Sequence, residues 1–222
     1  MECGILADDR AGSETMAEVM PIVYIVDDDI SVREALEALI REAGWRPQVF
    51  SSAEEFLSHH RPSAPSCLVL DVALPDLNGL DLQQKLATER NDIPIIFITG
   101  YGDVPMTVRA MKGGATEFLT KPFGDEALLD AIRDAIERSA VDMTLARELD
   151  ALRERHESLS KREREVMALV VKGLMNKQVG GELGISEITV KAHRGRVMRK
   201  MGARSLADLV NIAAKLGIAE QR

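Results

Sequence analysis

The run Ile22–Val26 (IVYIV) is followed at once by three acidic residues, Asp27–Asp29, and the run Cys67–Leu70 (CLVL) is followed by Asp71. Short apolar stretches bounded by polar residues are typical of strands that are buried on both faces of a parallel sheet. The carboxyl ends of parallel strands meet at one edge, where open α/β sheets bind their ligands. These two stretches therefore predict an α/β domain with carboxylates gathered at one edge of its sheet.

Strand-like and helical segments alternate five times between Pro21 and Ser139. This alternation predicts a parallel sheet with helices on both faces. The predicted strands are Ile22–Val26, Arg46–Phe50, Cys67–Leu70, Ile93–Ile98 and Glu117–Leu119. The predicted helices are Val32–Ala43, Ala53–His59, Leu80–Glu89, Val104–Lys112 and Glu126–Ser139. Either Asp29 or Ser31 is suited to cap the first helix.

The net charge of −8 conceals two oppositely charged parts. Residues 1–157 carry 15 Lys and Arg against 30 Asp and Glu, whereas residues 158–222 carry 13 against 6. An acidic part followed by a basic part is expected of separate modules that bind cations and polyanions. The two cysteines, Cys3 and Cys67, provide neither a disulfide framework nor a zinc site, which is typical of a protein of the reducing cytoplasm. No signal peptide and no apolar stretch long enough to span a membrane is evident, so no membrane partner is expected.

The chain divides into four predicted regions: a disordered tail (1–20), an α/β domain (21–139), a helical linker (140–157) and a helical domain (158–222). Translation starting at Met16 or Met20 instead would shorten the tail. In the linker, Leu145, Leu149 and Leu152 have the spacing of a short coiled coil with a second copy. Asp142 and His156 fall on the same seam and argue against such pairing, so both possibilities stay open.

Besides Asp71, which follows the third predicted strand, two other polar groups come after predicted strands. Thr99 follows the fourth strand, and Lys121 comes shortly after the fifth. Clustered carboxylates favour a hard cation such as Mg²⁺, and a carboxylate on a strand end can accept a phosphoryl group as a nucleophile. A lysine neutralises charge on the transferring group, and a hydroxyl can hydrogen-bond it. An aspartate that follows a strand is often only a cap or turn residue. The combination at successive strand ends favours a phosphoryl-transfer site.

These stretches resemble the receiver domain of two-component response regulators over Pro21 to Ser139. The residues that carry the resemblance are Ile25–Asp29 (IVDDD), Leu70-Asp71, Leu74-Pro75, Asn78-Gly79, Ile98–Gly100 (ITG) and Phe118–Phe123 (FLTKPF). The resemblance implies a flavodoxin-like, doubly wound sheet of five parallel strands in the order 2-1-3-4-5. It also implies a sensor histidine kinase as phosphoryl donor.

The resemblance assigns a role to each residue of the acidic edge. It implies that Asp71 is the phosphoacceptor and that Asp27, Asp28, Asp71 and the carbonyl of Ala73 hold Mg²⁺. Lys121 is expected to pair with the phosphoryl oxygens.

The resemblance also names a switch and an output surface. Thr99, which also binds the phosphoryl group, and Phe118 form the switch pair, although Phe118 is equally suited to an ordinary core position. The Lys121–Pro122 peptide bond is expected to be cis. Helices Val104–Lys112 and Glu126–Ser139 are the family's usual output and dimerisation surface.

The basic region has the pattern of a helix-turn-helix. Ser160 and Glu163 form a capping-box pattern, one helix runs from Asn176 to Leu183, and a three-residue turn leads to a helix over Glu187–Met201 that Ser186 caps. The second helix carries Lys191, Arg194, Arg196, Arg199 and Lys200 against one acid, Glu187. A basic stripe of this kind suits phosphate contact and entry into the major groove of DNA.

This region resembles the LuxR-type helix-turn-helix of the NarL/FixJ response regulators. The matching stretches are Leu159–Val166 (LSKREREV), Gly173–Lys177 (GLMNK), Leu183–Ser186 (LGIS) and Thr189–His193 (TVKAH). The match implies that Thr189, Lys191, His193 and Arg194 face DNA, with Lys177 and Arg199 nearer its backbone. Val190 either touches a thymine methyl group or packs inside the domain. Gly180-Gly181 departs from the family, which has alanine first, and each interior glycine costs about 0.5–1 kcal/mol relative to alanine.

The pattern favours a transcription regulator, in which phosphorylation promotes a homodimer that binds paired promoter sites and activates RNA polymerase. The chain is not expected to be an enzyme beyond assisting the gain and loss of its own phosphoryl group. A dehalogenase-like hydrolase needs a second carboxylate two residues after its nucleophile, and Ala73 occupies that position. An adaptor that merely binds partners has no use for the helix-turn-helix.

Overall fold

The computed structural model describes residues 20–88 and 93–218 of the 222-residue chain. These residues form two compact units, divided between Val141 and Asp142. The tail predicted over residues 1–20 lies outside the described residues except for Met20, and so does Glu89, the predicted end of a helix. Within residues 20–88 and 93–218, no helix is both long and apolar enough to cross a membrane.

The first unit is built on a parallel sheet in the order β2-β1-β3-β4-β5, which confirms the predicted fold. The strands are β1 (Ile22–Val26), β2 (Arg46–Phe50), β3 (Ser66–Asp71), β4 (Ile95–Thr99) and β5 (Glu117–Thr120). The helices that follow them are α1 (Ile30–Glu42), α2 (Ala53–Ser58), α3 (Gly79–Thr88), α4 (Val104–Lys112) and α5 (Asp125–Glu157). The strand bounds differ from the predicted ones by at most two residues.

Each face of the sheet buries its own apolar cluster, because neighbouring residues of a strand point to opposite faces. On β1, Tyr24 packs among side chains of α2, α3 and α4, such as Phe56 and Leu82. Val23 and Ile25 instead pack among side chains of α1 and α5, including Ile132. Burial on both faces explains why this strand is a continuous hydrophobic run with no charged residue.

Local signals define the ends of the elements near the acidic edge. Asp29 is the N-cap of α1, and its side chain accepts a hydrogen bond from the backbone N–H of Ser31 at 2.8 Å. The Lys121–Pro122 peptide bond is cis, as the resemblance implied. The helix predicted over Glu126–Ser139 continues through residues 140–157, so that α5 is a single helix of 33 residues.

Within the described part of the second unit, which runs to residue 218, four helices follow the end of α5 and share one apolar cluster. These helices are α6 (Lys161–Val171), α7 (Asn176–Leu183), α8 (Glu187–Met201) and α9 (Leu206–Lys215). The capping box of Ser160 and Glu163 is present at the start of α6, and Ser186 caps α8. The helix α9 lies in the helical region predicted over residues 158–222, but its bounds were not predicted, although Ser205 and Asp208 form a second capping box at its start.

The two adjacent glycines of α7 have different surroundings. Gly180 is buried, and a Cβ atom there would lie 2.7 Å from the backbone oxygen of Ile185 in the turn. The backbone N–H of Ile185 also donates a hydrogen bond to the Gly180 carbonyl at 3.0 Å. Gly181 is exposed, and among the described residues nothing lies within 4 Å of its Cβ position. Gly180 thus permits the close approach of the turn, whereas Gly181 merely weakens the helix.

Gly181→Ala is expected to stabilise the protein by about 0.5–1 kcal/mol, because alanine has the higher helix propensity and finds open space. Gly180→Ala is expected to destabilise it, because the new methyl group must displace the backbone of the turn. Calorimetric unfolding of the full chain measures both variants. Equal effects of the two substitutions would contradict the different roles of the two glycines.

Candidate phosphorylation site and nucleic-acid interface

The parallel sheet brings the predicted acidic residues together. Since β1 and β3 pair with Val26 opposite Leu70, the residues that follow them, Asp27 and Asp71, emerge side by side. Carboxylate oxygens of Asp27, Asp28 and Asp71 all lie within 4.8 Å of one another. Residues far apart in the chain thus form one compact anionic cluster at the carboxyl edge.

Asp27 is the most buried member of this cluster, with no exposed surface. One of its carboxylate oxygens, Oδ1, accepts the backbone N–H of Asp29 at 2.9 Å, and its carbonyl accepts the guanidinium of Arg33 at 2.7 Å. Burial raises the pKa of Asp27 by more than the hydrogen bond from Lys121 lowers it. The charged form of Asp27 is therefore less favourable here than that of an aspartate in water.

Lys121 extends from the end of β5 to two of the carboxylates. Its Nζ donates to Oδ2 of Asp27 at 2.7 Å and to Oδ2 of Asp71 at 3.4 Å. Burial by itself would lower the pKa of Lys121, but the hydrogen bond to Asp27 and the negative charges of Asp71 and Asp27 outweigh it and raise this pKa. The lysine is thus held as a cation beside Asp71.

Asp71 lies at the end of β3 with 6% of its surface exposed. Its Oδ1 accepts the backbone N–H of Ala73 at 3.3 Å. Close behind it, a Cβ atom on Gly79 would lie 2.5 Å from the carbonyl oxygen of Asp71, so only glycine fits at the start of α3. The carboxylate is held in a defined position between Lys121 and the other two acids, which is the arrangement that a nucleophilic carboxylate requires.

Thr99 and Phe118 lie beside this cluster on β4 and β5. Thr99 is 1% exposed, and its hydroxyl accepts the backbone N–H of Tyr101 at 3.2 Å. The carbonyl of Thr99 accepts the N–H of Lys121 at 2.7 Å, which joins the two predicted phosphoryl-binding residues. Phe118 is partly buried against Phe97, with 6.2 Å between ring centroids.

Gly102 is a residue of this region that the sequence patterns did not single out. A Cβ atom there would lie 2.6 Å from Cγ2 of Thr120 and 3.1 Å from Cε1 of Phe118. The loop after β4 therefore packs its backbone directly on the predicted switch residues. In the sequence, nothing distinguishes this glycine from an ordinary loop glycine. Arg33 was missed as well, because its contact with Asp27 depends on the helical phase of α1.

In the second unit, α7 and α8 form a helix-turn-helix. Gly184 ends α7 with a positive φ of 65°, which favours glycine, and Ser186 then accepts the N–H of Thr189 at 3.2 Å to begin α8. Arg162 of α6 donates to the carbonyl of Leu183 at 3.0 Å and so satisfies the end of α7. The turn residues that carried the sequence resemblance are therefore the ones that set its geometry.

The residues predicted to face DNA differ in exposure. Lys177, Thr189, Lys191 and Arg199 are exposed, whereas His193 and Arg194 are half-buried. Arg194 donates to Oδ1 of Asn176 at 3.2 Å, and Nδ1 of His193 is buried. Val190 is completely buried in the core of the unit, so it packs and does not touch DNA.

One residue of the predicted basic stripe is used for structure instead. Lys200 donates to Oε2 of the buried Glu163 at 2.7 Å and to the carbonyl of Ser158 at 3.0 Å. The hydrogen bond from Lys200, followed by that from the backbone of Ser160, lowers the pKa of Glu163 to about 2. This ion pair anchors the end of α8 to the start of α6.

Glu163→Gln is expected to destabilise the protein by about 1.5–3 kcal/mol at pH 7, because hydrogen bonds to a charged group are lost. The folded-state pKa of Glu163 lies below its usual value of 4.5, so its stabilisation is present above about pH 4.5 and is lost as the pH falls towards 2. Denaturant unfolding between about pH 7 and pH 3 measures this difference. The exposed Glu182, changed to Gln, is the control, and a difference that does not depend on pH would contradict the assignment.

Comparison with known proteins gives the family of both units. Residues 23–133 match the model of the response regulator receiver domain, and residues 157–213 match that of the bacterial regulatory proteins of the luxR family. The chain is 55% identical to nodulation protein W of Bradyrhizobium diazoefficiens over 207 residues, which cover 93% of this chain and 91% of that protein. It is 42% identical to the transcriptional regulatory protein FixJ of Azorhizobium caulinodans, again over 207 residues, 92% of this chain and 96% of that protein.

A solved structure supports the same relationship. The response regulator StyR is 49% identical, superposes with a TM-score of 0.79, and covers 88% of this chain and 99% of its own. These matches support a phosphorylation-controlled transcription regulator and not a classical enzyme. A receiver domain joined to a helix-turn-helix implies a histidine kinase as partner and DNA binding. With a receiver domain followed by a LuxR-type helix-turn-helix domain, this chain belongs to the NarL/FixJ family of two-component response regulators.

Proposed function

We propose that Asp71 is the residue that accepts the phosphoryl group from the histidine kinase. The observation that carries this proposal is the position of its Oδ2, 3.4 Å from Nζ of Lys121 and within the three-carboxylate cluster. Asp27 is less suited, because it is fully buried and already pairs with Lys121 at 2.7 Å. In the reaction, a carboxylate oxygen of Asp71 forms the bond to phosphorus while the bond from phosphorus to the kinase histidine nitrogen breaks.

The donor set of this edge suits Mg²⁺, a hard cation that takes oxygen ligands. Asp27, Asp28, Asp71 and the carbonyl of Ala73 would hold the ion, which when bound neutralises charge on the phosphoryl oxygens. The carboxylate oxygens of Asp27, Asp28 and Asp71, which all lie within 4.8 Å of one another, support this proposal. The same residues would assist only the gain and the hydrolytic loss of the phosphoryl group.

Lys121 and Thr99 would bind the phosphoryl group once it is attached. Nζ of Lys121 already contacts both Asp27 and Asp71, so a small movement would let it pair with a phosphoryl oxygen on Asp71. The Thr99 hydroxyl lies at the end of β4 and can donate to a phosphoryl oxygen. Because Gly102 packs on Phe118, a movement of Thr99 and Phe118 would shift the start of α4.

We propose that the surface formed by α4 and α5 is then the contact between the two copies of the homodimer.

The second unit would bind promoter DNA as part of that dimer. Lys177, Thr189, Lys191, His193, Arg194 and Arg199 are the proposed contacts. The exposed cations support this role through charge complementarity with phosphates, and a dimer would place two α8 helices on paired half-sites. We propose that the bound dimer recruits RNA polymerase and activates transcription. We propose that the protein acts in the cytoplasm, because promoter DNA is its proposed target.

Asp71→Asn is expected to abolish labelling by acetyl phosphate or by a phosphorylated kinase, because an amide nitrogen or oxygen does not replace the nucleophilic carboxylate. Phosphate-affinity electrophoresis of the full-length protein measures labelling. Asp81→Asn removes an exposed carboxylate of α3 that pairs with Arg109 and should leave labelling intact. Labelling of the Asp71 variant at the wild-type level would mean that another residue is the acceptor.

Lys177→Ala is expected to weaken binding to specific and non-specific duplexes alike, because a phosphate contact carries no sequence information. The slope of log K against log salt concentration should become shallower by about 0.9. Fluorescence anisotropy over a range of salt concentrations measures both quantities. Lys215→Ala, which removes a cation of α9 that lies 3.8 Å from Glu148, should not change the slope. An unchanged slope for Lys177→Ala would exclude it from the interface.

A further inference from the structure

The N-terminal turn of α8 presents a large apolar side chain to solvent. Ile188 is 82% exposed and is the second residue of the helix. Single exposed apolar side chains are common on protein surfaces, so the position of Ile188 on the helix, and not its exposure alone, indicates what it can contact. Nothing in the roles proposed so far uses this residue.

The helical spacing places Ile188 on the face of α8 that points directly away from the core. Val190, Val197 and Met201 are buried against the rest of the unit. At 3.6 residues per turn, the opposite face consists of Ile188, Ala192, Gly195 and Arg199, and all four are exposed. The outermost line of α8, the second helix of the helix-turn-helix and here called the recognition helix, therefore begins with an apolar residue. It continues with two small residues and ends with a cation.

The small residues of this face leave room for close approach. Among the described residues, no atom lies within 4 Å of the position that a Cβ atom of Gly195 would take, so packing inside the protein does not require this glycine. A glycine inside a helix lowers its stability by about 0.5–1 kcal/mol relative to alanine. Its place on the outermost line is instead suited to a surface that must come close to the helix backbone.

The charges around this face indicate what that surface is. On α8, the exposed Lys191 and Arg196 flank this line on its two sides, and Arg199 ends it; Lys177 is a further exposed cation, on α7. A rim of cations around an apolar centre complements the major groove, which has phosphates along its borders and thymine methyl groups on its floor. A second protein surface would have to be strongly acidic to fit the same rim.

We propose that Ile188 is a specificity-determining residue that contacts the 5-methyl group of a thymine in each half-site. Ala192 and Gly195 allow α8 to enter the groove deeply enough for this contact. Apolar contact with the methyl group distinguishes thymine from the other bases, and the first residues of a recognition helix are the ones that reach base edges. This inference rests on the proposed binding of DNA by the second unit and names the base that it reads.

The test replaces thymine by uracil, which lacks only the methyl group. Full-length protein treated with acetyl phosphate first selects its preferred duplex from a randomised pool. Each thymine of that duplex is then changed to uracil, and affinity is measured for the wild type and for Ile188→Ala. One thymine per half-site should lose about fourfold in wild-type affinity, since one methyl-sized group leaves its apolar contact. At that position, Ile188→Ala should bind both duplexes equally.

Two further variants make the test specific. Val49→Ala shortens another exposed apolar side chain, in β2, and should leave the pattern of uracil effects unchanged. Gly195→Leu should bind the selected duplex more weakly while its α8 becomes more stable, because the new side chain blocks close approach. A Gly195→Leu protein with wild-type affinity would overturn the deep entry of the helix.

The other outcomes are also decisive. Uracil effects that are the same in the wild type and in Ile188→Ala at every position would overturn the methyl contact, and so would a selected duplex without a thymine in the half-site. Wild-type DNA binding by Ile188→Ala combined with a loss of transcription would identify Ile188 as a protein contact instead. Failure of the wild type to select any sequence would overturn the proposed DNA-binding function itself, whereas the outcomes above leave that function intact.

Discussion

The partly buried ion pair between Lys121 and Asp27 is the interaction on which the proposed phosphorylation site depends. Two residues separated by most of the first unit meet at 2.7 Å because β1 and β5 end at the same edge of one sheet. Removing a carboxylate and an ammonium from water is costly, and their attraction repays it only when the geometry is good. The pair holds Lys121 within 3.4 Å of Asp71 and thereby places a cation where a phosphoryl group would arrive.

A second buried carboxylate shows the opposite electrostatic state. Glu163 accepts hydrogen bonds from Lys200 and from the N–H of Ser160, and these lower its pKa to about 2. Burial instead raises the pKa of Asp27, although Lys121 donates a hydrogen bond to it. Glu163 joins two helices, whereas Asp27 lies within 4.8 Å of two further carboxylates at the edge of the sheet.

Some polar residues of α8 stabilise the fold, whereas others remain exposed for a partner. Lys200 belongs to the same run of basic residues as Arg199, yet it anchors α8 to α6, while Arg199 remains exposed. Arg194, a proposed DNA contact, also donates one hydrogen bond to Asn176 at the start of α7. The surface left for a partner is narrower than the basic composition of the helix indicates, and it includes the exposed Ile188.

Much of this architecture could be predicted, because strong local patterns determine it. The continuous apolar runs before Asp27 and Asp71 require strands that are buried on both faces, and the turn at Gly184 requires a residue that tolerates positive φ. Weaker signals left two details unpredicted. The bounds of α9 were not predicted, although it begins with a capping box, and the helical linker predicted over residues 140–157 was not expected to continue α5 without a break.

The sequence by itself determined the strand and helix order, the acidic edge and the helix-turn-helix, because hydrophobic period, caps and turn residues are local properties. Only the tertiary structure decided which side chains from different elements contact one another. It brought Arg33 to the carbonyl of Asp27, packed Gly102 on Phe118, and buried Val190 while exposing Ile188. The physical reason is that helical phase and close packing depend on the elements that surround a residue, and no local pattern records them.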